Sequence, residues 1–233
     1  MSSDMRSALL REAEFLIRTR GYSAFSYADL AERASIAKAS VHHYFPTKED
    51  LVLVLVKEYV GRFVETLASV ERVNSRAPDR LRAYARLFLD GFDSGMLPLC
   101  GALAAERSAL PESMRSRVQD FFQLHLDWLS RVVREGVDAG DLRAVSPPDR
   151  AALLLLSALE GGSLVGWALA RSAPVVSAFE DVLLSLEYGP NPVRAATMCL
   201  ARDSPKGGYA FQKKGPSADL ARAPATKLPT SKE

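Results

Sequence analysis

Residues 25–51 read FSYADLAERASIAKASVHHYFPTKEDL, and this stretch decides the fold of the N-terminal part of the chain. Ser26 followed three residues later by Asp29 is typical of a capping box, which predicts a short helix over 27–33. A break of three residues separates it from a second short helix over about 37–44. Two short helices joined by such a tight turn predict a helix-turn-helix unit.

The second short helix has the composition of a helix that enters the major groove of DNA. Its first residues are small, so its N-terminus can approach base edges without a steric block. Its polar and aromatic side chains can reach bases and phosphates, and Lys48 with the free amides of the following helix suits a further phosphate. The candidate DNA-contacting residues are Ser26, Tyr27, Lys38, Ala39, Ser40, His42, His43, Tyr44 and Lys48.

The neighbouring His42 and His43 raise the alternative of a metal site. Adjacent side chains on a helix point in different directions, and no Cys, Asp or Glu lies nearby at ligand spacing. The sequence therefore predicts no metal site, and no motif in it calls for a cofactor.

Composition excludes several classes of protein. The chain has 233 residues, 48% of them hydrophobic, with 30 basic and 28 acidic side chains and two cysteines, Cys100 and Cys199. Two cysteines cannot form a disulfide framework. The longest aliphatic run is 51–56, which is far too short to span a membrane, and the N-terminus lacks the apolar core of a secretory signal. We expect a soluble, cytoplasmic protein.

Helical periodicity and capping signals dominate the chain, and no stretch alternates like a strand with hairpin turns, so the predicted fold class is all-α. We predict a DNA-binding domain over 4–66, with the helix-turn-helix at about 27–46, and a helical domain over 67–188. Residues 189–233 carry eight basic and three acidic residues and no sustained apolar period, which predicts a disordered basic tail. The predicted helices after the first three cover about 47–73, 79–93, 98–109, 111–139, 147–170 and 175–187.

The order and spacing of Phe-Ser-Tyr-Ala-Asp-Leu-Ala-Glu-Arg-Ala, Ile-Ala-Lys-Ala-Ser-Val and Tyr-Phe-Pro-Thr-Lys-Glu-Asp-Leu resemble the signature of the TetR family of repressors over about 4–64. Ser35, Ala37, Ala39 and His42 depart from the commonest residues of that signature. The Ala-Ser-Val-His-His-Tyr-Phe-Pro-Thr-Lys version is similar to a branch that includes repressors of electrophile and acrylate response genes. The resemblance implies a homodimer built on the last two helices, here 147–187, and a ligand cavity in the second domain.

Aromatic and polar residues of the second domain are candidates for lining that cavity, with core packing as the alternative. Glu160 interrupts an apolar run, so its carboxyl must find a partner, shift its pKa or lie at the surface. Cys100 falls in the first turn of a predicted helix, where amides favour a reactive thiolate, although a buried and inert thiol is the alternative. The candidate ligand-binding residues are Phe88, Phe92, Cys100, Phe121, His125, Trp128, Glu160 and Trp167.

Small residues and charge complete the prediction. Gly161, Gly162 and Gly166 suggest close helix–helix approach, either across a dimer interface or within one subunit.

Residues 1–66 carry nine basic and nine acidic side chains, which argues against an architectural DNA binder. A cysteine-dependent enzyme using Cys100, His125 and Glu160 lacks any supporting motif. The sequence therefore predicts a homodimeric, ligand-responsive repressor that binds a palindromic operator, with no membrane association.

Overall fold

The computed structural model describes residues 2–188, and they form an all-helical fold with no strand between those limits. This confirms the predicted fold class. The tail prediction for 189–233, and Cys199 with it, lies outside the described residues. Within residues 2–188 the α-helices are α1 (Ser2–Arg20), α2 (Tyr27–Arg33), α3 (Lys38–Tyr44), α4 (Lys48–Val73), α5 (Ala77–Asp93), α6 (Leu99–Ala105), α7 (Glu112–Asp138), α8 (Pro148–Leu169) and α9 (Ala173–Tyr188).

The helix-turn-helix forms where its capping signals predict it. The Ser26 hydroxyl accepts the Asp29 amide, and the Asp29 carboxylate accepts the Ser26 amide, so the capping box that starts α2 is complete. Thr47 and Asp50 start α4 in the same way. Ser35 takes a left-handed φ of +54° in the turn between α2 and α3, a conformation that costs a non-glycine residue roughly 1–2 kcal/mol.

Two apolar clusters hold the described residues together. One surrounds α1–α4 and also contains Leu99 and Leu103 of α6 and Met114 of α7. The other joins α5, α7, α8 and α9 around Tyr84 and Phe179. The domain boundary predicted at 66–67 falls inside the continuous helix α4 and remains a prediction. Helix α6 therefore packs against the core of α1–α4, the part of the chain that contains the helix-turn-helix.

The helix predicted over 98–109 is interrupted in the structure. α6 ends at Ala105, Glu106 leaves helical geometry with φ −105° and ψ 25°, and Arg107–Ala109 form a separate 3₁₀ turn. At this interruption the Glu106 carboxylate accepts a hydrogen bond from the Ser23 amide, in the turn between α1 and α2.

The glycines of α8 divide into two groups. A side chain at Gly162 would collide with the backbone oxygen of Pro174 at the start of α9, and one at Gly166 with that of Arg171 in the turn before α9. These two positions therefore serve packing within one subunit, which is one of the two alternatives that the sequence left open. A side chain at Gly161 would meet nothing within 4 Å and would project from the exposed face of α8.

Candidate nucleic-acid interface and buried cavity

Helix α3 exposes nearly all of its side chains. Val41 is its one buried residue and fixes it to the first apolar cluster. Lys38, Ala39, His42 and His43 are exposed, while Ser40 and Tyr44 are half-buried at its edges. A short helix that is pinned by one valine and open on its other faces has the form of a helix that reads DNA bases.

Tyr27 was predicted to contact DNA, but the structure places its side chain inside the fold. Its side chain is buried, and its hydroxyl lies 2.6 Å from the Thr47 carbonyl oxygen and 3.0 Å from that of Phe45. Burial, followed by the charge of Asp50, raises the pKa of Tyr27 to about 12. The hydroxyl thus ties α2 to the turn between α3 and α4, and Tyr27 supports the reading helix from behind.

Lys48 was predicted to bind a DNA phosphate, but the structure gives its ammonium partners within the protein. Its ammonium donates to the carbonyl oxygens of Tyr22 and Phe25, at 2.6 and 2.5 Å, and lies over both aromatic rings. Partial burial lowers the pKa of Lys48, against the opposing charges of Glu106 and Asp29. With its charge directed at the turn between α1 and α2, Lys48 stabilises the fold rather than presenting a free cation to phosphate.

Two further predicted contacts have a structural partner as well as an exposed side. Ser26 is engaged in its capping box, with its hydroxyl 2.6 Å from the Asp29 carboxylate. His42 Nδ1 donates to the Pro46 carbonyl oxygen at 3.2 Å, and its ring packs edge-on against Tyr27. Lys38, Ala39, Ser40, His43 and Tyr44 keep their role as predicted contacts.

A cavity of about 50 Å³ lies where α1, α4, α5, α6, α7 and α8 meet. Five of the eight predicted ligand-binding residues line it, namely Phe88, Cys100, Phe121, His125 and Glu160. The fold brings these five residues together from four helices, because each lies on the face of its helix that points into the protein.

The other three predicted ligand residues are not part of the cavity lining. The Trp128 ring stacks on Tyr84, and its indole N–H donates to Glu71 at 2.5 Å, so it is a core residue. Phe92 and Trp167 pack edge-on against each other, and Trp167 is 37% exposed. For these three aromatic residues the structure supports packing rather than a place in the cavity wall.

Glu160 is the acidic side chain of the cavity, and no hydrogen bond or ion pair satisfies it among residues 2–188. Burial raises the pKa of Glu160 to about 7. Of the alternatives open from the sequence, the structure therefore selects the shifted pKa over a partner or surface exposure. Its carboxylate rests against Gly101, where any side chain would overlap it.

His125 faces the same cavity as a neutral group. It hydrogen-bonds through Nδ1 to the Tyr84 hydroxyl, and its ring stacks on Phe63 at a centroid distance of 4.5 Å. Burial lowers the pKa of His125 to about 3, so the imidazole stays uncharged near neutral pH. The Tyr84 contact fixes the ring and leaves Nε2 as its remaining polar atom.

Of the two alternatives for Cys100, the structure favours the buried thiol over the reactive thiolate. The side chain is 1% exposed, and burial, assisted by the charge of Glu160, raises the pKa of its thiol well above the ordinary value. The position in the first turn of α6 is as predicted, but desolvation outweighs any stabilisation by the helix amides. Cys100 is a buried thiol of the cavity wall.

Sequence reasoning missed three prominent lining residues. Tyr59 and Phe63 lie four residues apart on α4, a spacing that marks one helical face and was available from the sequence. Arg18 reaches the cavity from α1, and only tertiary packing places it there. Its guanidinium is held by the Leu97 carbonyl oxygen through Nε and by Glu14 through Nη1.

No group of three or more His, Cys, Asp or Glu side chains with the arrangement of a metal site occurs within the described part of the chain.

Known protein families match both the N-terminal part of the chain and the helical part that follows it. The family model for bacterial regulatory proteins of the tetR family matches residues 9–55, and the tetracyclin repressor-like C-terminal domain matches residues 77–180. Transcriptional regulator AcuR of Cereibacter sphaeroides is 27% identical over 203 residues, covering 84% of this chain and 83% of that protein. The HTH-type transcriptional repressor DhaR of Mycobacterium sp. is 25% identical, covering 69% and 81%.

A crystal structure of a TetR family transcriptional regulator from Agrobacterium tumefaciens superposes with a TM-score of 0.77 and 29% identity, covering 80% of this chain and all of that one. The helix-turn-helix, the exposed α3 and these similarities define a DNA-binding transcriptional regulator. The chain belongs to the TetR family.

Proposed function

We propose that this regulator is a homodimeric repressor that binds a palindromic operator and leaves it when a small effector occupies the cavity. The observation that carries the proposal is the exposed face of α3, on which Lys38 and His43 are exposed and Tyr44 is half-buried. A ligand that binds better to the DNA-incompetent state shifts the equilibrium toward it.

The exposed face of α8 supports dimerisation. Its large apolar residues Leu153, Leu154, Leu164 and Val165 are each about half exposed, between 48% and 61%. Gly161 lies open between them, so a second α8 can approach closely at that point. Burying this face against its symmetry mate, together with neighbouring parts of α9, removes apolar surface from water. The proposed dimer interface is therefore within 147–187.

The same helix is long and apolar enough to cross a membrane by length and composition. Its inner face, however, packs against α7 and α9 in the second apolar cluster. We assign its exposed apolar face to the second subunit and place the protein in the cytoplasm without a membrane partner.

The cavity supports a small effector. A molecule in a space of about 50 Å³ has only a few non-hydrogen atoms unless the walls move. Glu160 offers a polar anchor among aromatic walls. Catalysis is not part of the proposal. Burial favours the protonated form of the Cys100 thiol, and His125 is hydrogen-bonded to the Tyr84 hydroxyl rather than to that thiol.

The test is footprinting of the full chain on the DNA upstream of its own gene, with sedimentation of the free protein. We expect a dimer that protects two inverted half-sites, their centres about 34–36 Å or a multiple of one helical turn apart. Binding as a monomer to a single half-site, or protection without inverted symmetry, would contradict the dimer and the palindrome. Salt-sensitive coating of any sequence would contradict a specific repressor.

A further inference from the structure

Phe121 is the wall between two spaces of the fold. It lines the cavity of about 50 Å³, and it also lines a groove of about 460 Å³ that opens between α4 and α7 on its other side. Among residues 2–188 no other side chain belongs to both linings. Because Phe121 is only 5% exposed, its ring fills the place where the two spaces would otherwise join.

The cavity side of Phe121 combines aromatic walls with a carboxyl. The Phe121 ring meets the rings of His125, Phe63 and Tyr59 edge-on, at centroid distances of 4.4, 5.1 and 5.7 Å. Glu160 lines the same cavity and has no hydrogen bond or ion pair within the described part of the chain. A ligand with a hydroxyl or amine head group would give that carboxyl the hydrogen bond that the fold does not supply.

The groove side of Phe121 is apolar. Its aliphatic lining comes from one face of α4 and from α7, namely Leu53, Val54, Val56, Val60 and Leu124. The charged residues of its lining are all exposed, namely Lys57, Arg117 and Asp120. Such a groove suits a hydrocarbon chain, since burial of one methylene from water raises affinity about fourfold.

The volume of the cavity sets the limit that Phe121 imposes on a ligand. A cavity needs roughly 10–15 Å³ to hold one water, so a cavity of about 50 Å³ accepts about four non-hydrogen atoms. A longer chain needs the space that the Phe121 ring occupies. If the ring were smaller, the chain could continue from the cavity into the groove.

A second surface space adjoins the cavity but suits a hydrocarbon chain less well. It measures about 290 Å³ and lies on the other side of Tyr59 and Phe63. Glu14, Arg62 and Thr66 line it, and Arg62 pairs with Glu14 at 2.6 Å. An aliphatic chain in this space would lie against charged groups, so the apolar extension of the cavity is the groove beyond Phe121.

We propose that Phe121 is the specificity-determining residue of the effector site and restricts it to short, unbranched aliphatic molecules with one small hydrogen-bonding head group. The head group lies at Glu160, and the chain points toward the Phe121 ring, which ends the site after about four non-hydrogen atoms. The inference rests on the proposed function, since it names the class of molecule that occupies the cavity as effector.

The test measures binding of a homologous series to the full, DNA-free chain. The probes are the unbranched primary alcohols from ethanol to octanol, and their affinities are measured by calorimetric titration. For the wild-type chain we expect the affinity to rise about fourfold per methylene as far as propanol or butanol and to rise no further beyond them. In Phe121→Leu the rise should continue, so that octanol binds at least tenfold more tightly than it does to the wild type.

Phe122→Leu is the matched control for this series. Phe122 is the next residue of α7 and lines neither the cavity nor this groove, but a separate one between α6 and α7. The control should therefore keep the wild-type limit. In the double variant Phe121→Leu, Leu124→Gln the gain for octanol should be lost, because Leu124 belongs to the wall of the groove.

Several results would overturn the role of Phe121. They are a wild-type affinity that climbs through octanol, no binding of the short alcohols, or the same extension in Phe122→Leu as in Phe121→Leu. If circular dichroism shows that Phe121→Leu does not fold, Phe121→Met takes its place with the same expected extension. Failure of the wild-type chain to bind upstream DNA would refute the proposed function alone, because the alcohol series is measured without DNA.

Discussion

Glu160 and His125 show how one environment moves two pKa values in opposite directions. Burial disfavours the charged form of each, so it raises the pKa of the carboxyl to about 7 and lowers that of the imidazole to about 3. At neutral pH the cavity holds a neutral histidine and a carboxyl that is partly protonated. Both groups thus weaken the fold when they become charged, Glu160 at high pH and His125 at low pH.

The first prediction concerns the pH dependence of Glu160→Gln. The folded state binds the Glu160 proton more tightly than the unfolded state, so wild-type stability falls as pH rises from about 4.5 to 7. The shift corresponds to roughly 3 kcal/mol. The variant lacks this loss, so its stability relative to wild type should rise by about that amount over the same window and level off above it. Urea denaturation at a series of pH values measures the difference, and a difference independent of pH would contradict the burial of a titrating carboxyl.

The two tyrosines of the helix-turn-helix are predicted to differ in kind. Tyr27→Phe removes the hydroxyl that serves the carbonyl oxygens of Phe45 and Thr47, so it should lower the free energy of unfolding by about 1–3 kcal/mol. Tyr44→Phe should leave stability within about 0.5 kcal/mol but weaken operator binding. Thermal unfolding and fluorescence anisotropy with operator DNA separate the two effects. The assignment is wrong if Tyr27→Phe is as stable as wild type, or if Tyr44→Phe binds DNA equally well.

Cys100 should react slowly while the protein is folded. Its thiol is buried and protonated, and the thiolate is the species that attacks electrophiles. We expect an unsaturated carbonyl compound to modify Cys100 far more slowly in the native chain than in urea, as measured by mass spectrometry of the peptide that contains it. Rapid native-state modification of Cys100, abolished in Cys100→Ser together with operator release, would restore the thiol-sensor hypothesis.

At the scale of elements, α8 presents different glycines to different partners. Gly162 admits the backbone at the start of α9 and Gly166 that of the turn before α9, whereas Gly161 is open to the outside. Adjacent glycines on one helix point about 100° apart, so one can serve the fold of the subunit while the next serves its assembly.

This division predicts separate effects for two neighbouring substitutions. Gly161→Arg should leave the monomer folded but prevent dimerisation, because it would bury two like charges across the two-fold axis. Gly162→Ala should instead lower thermal stability, by about 1–3 kcal/mol, since its Cβ meets backbone oxygens of α9. Sedimentation and thermal unfolding of both variants test this. A stable dimer of Gly161→Arg with wild-type affinity would exclude this face as the interface.

At the scale of the whole molecule, most arginines of the described DNA-reading part, residues 2–66, are held in ion pairs. Arg6, Arg20 and Arg33 pair with Glu58, Asp29 and Glu12, and Arg18 and Arg62 both pair with Glu14. Lys48 is held by carbonyl oxygens. Lys38 has no ion pair within residues 2–188 and lies exposed on the reading helix.

Because Lys38 is exposed on the reading helix and unpaired within residues 2–188, it should carry a measurable share of the salt dependence of operator binding. Lys38→Gln should reduce the slope of log K against log salt concentration by about 1 for each half-site. Arg33→Gln is the matched control, because that arginine is paired with Glu12 and should change the slope little. Anisotropy titrations over a range of salt test both, and an unchanged slope for Lys38→Gln would remove Lys38 from the phosphate contacts.

The sequence by itself determined what depends on neighbours along the chain. Capping boxes at Ser26 and Thr47, helical periodicity and the family signature predicted the helix-turn-helix, the all-α class and five of the cavity residues. These features are encoded by residues within a few positions of one another, where backbone hydrogen bonds and helical spacing set the geometry.

Only the tertiary structure decided the roles that depend on distant partners. Lys48 and Tyr27 have the chemistry of DNA contacts, but carbonyl oxygens from other elements hold them. Arg18 reaches the cavity from α1, and Glu106 binds an amide 83 residues away in the sequence. Burial set the protonation of Cys100 and Glu160. A side chain's charge, solvation and partners are fixed by what packs around it, and residues far apart in sequence supply that environment.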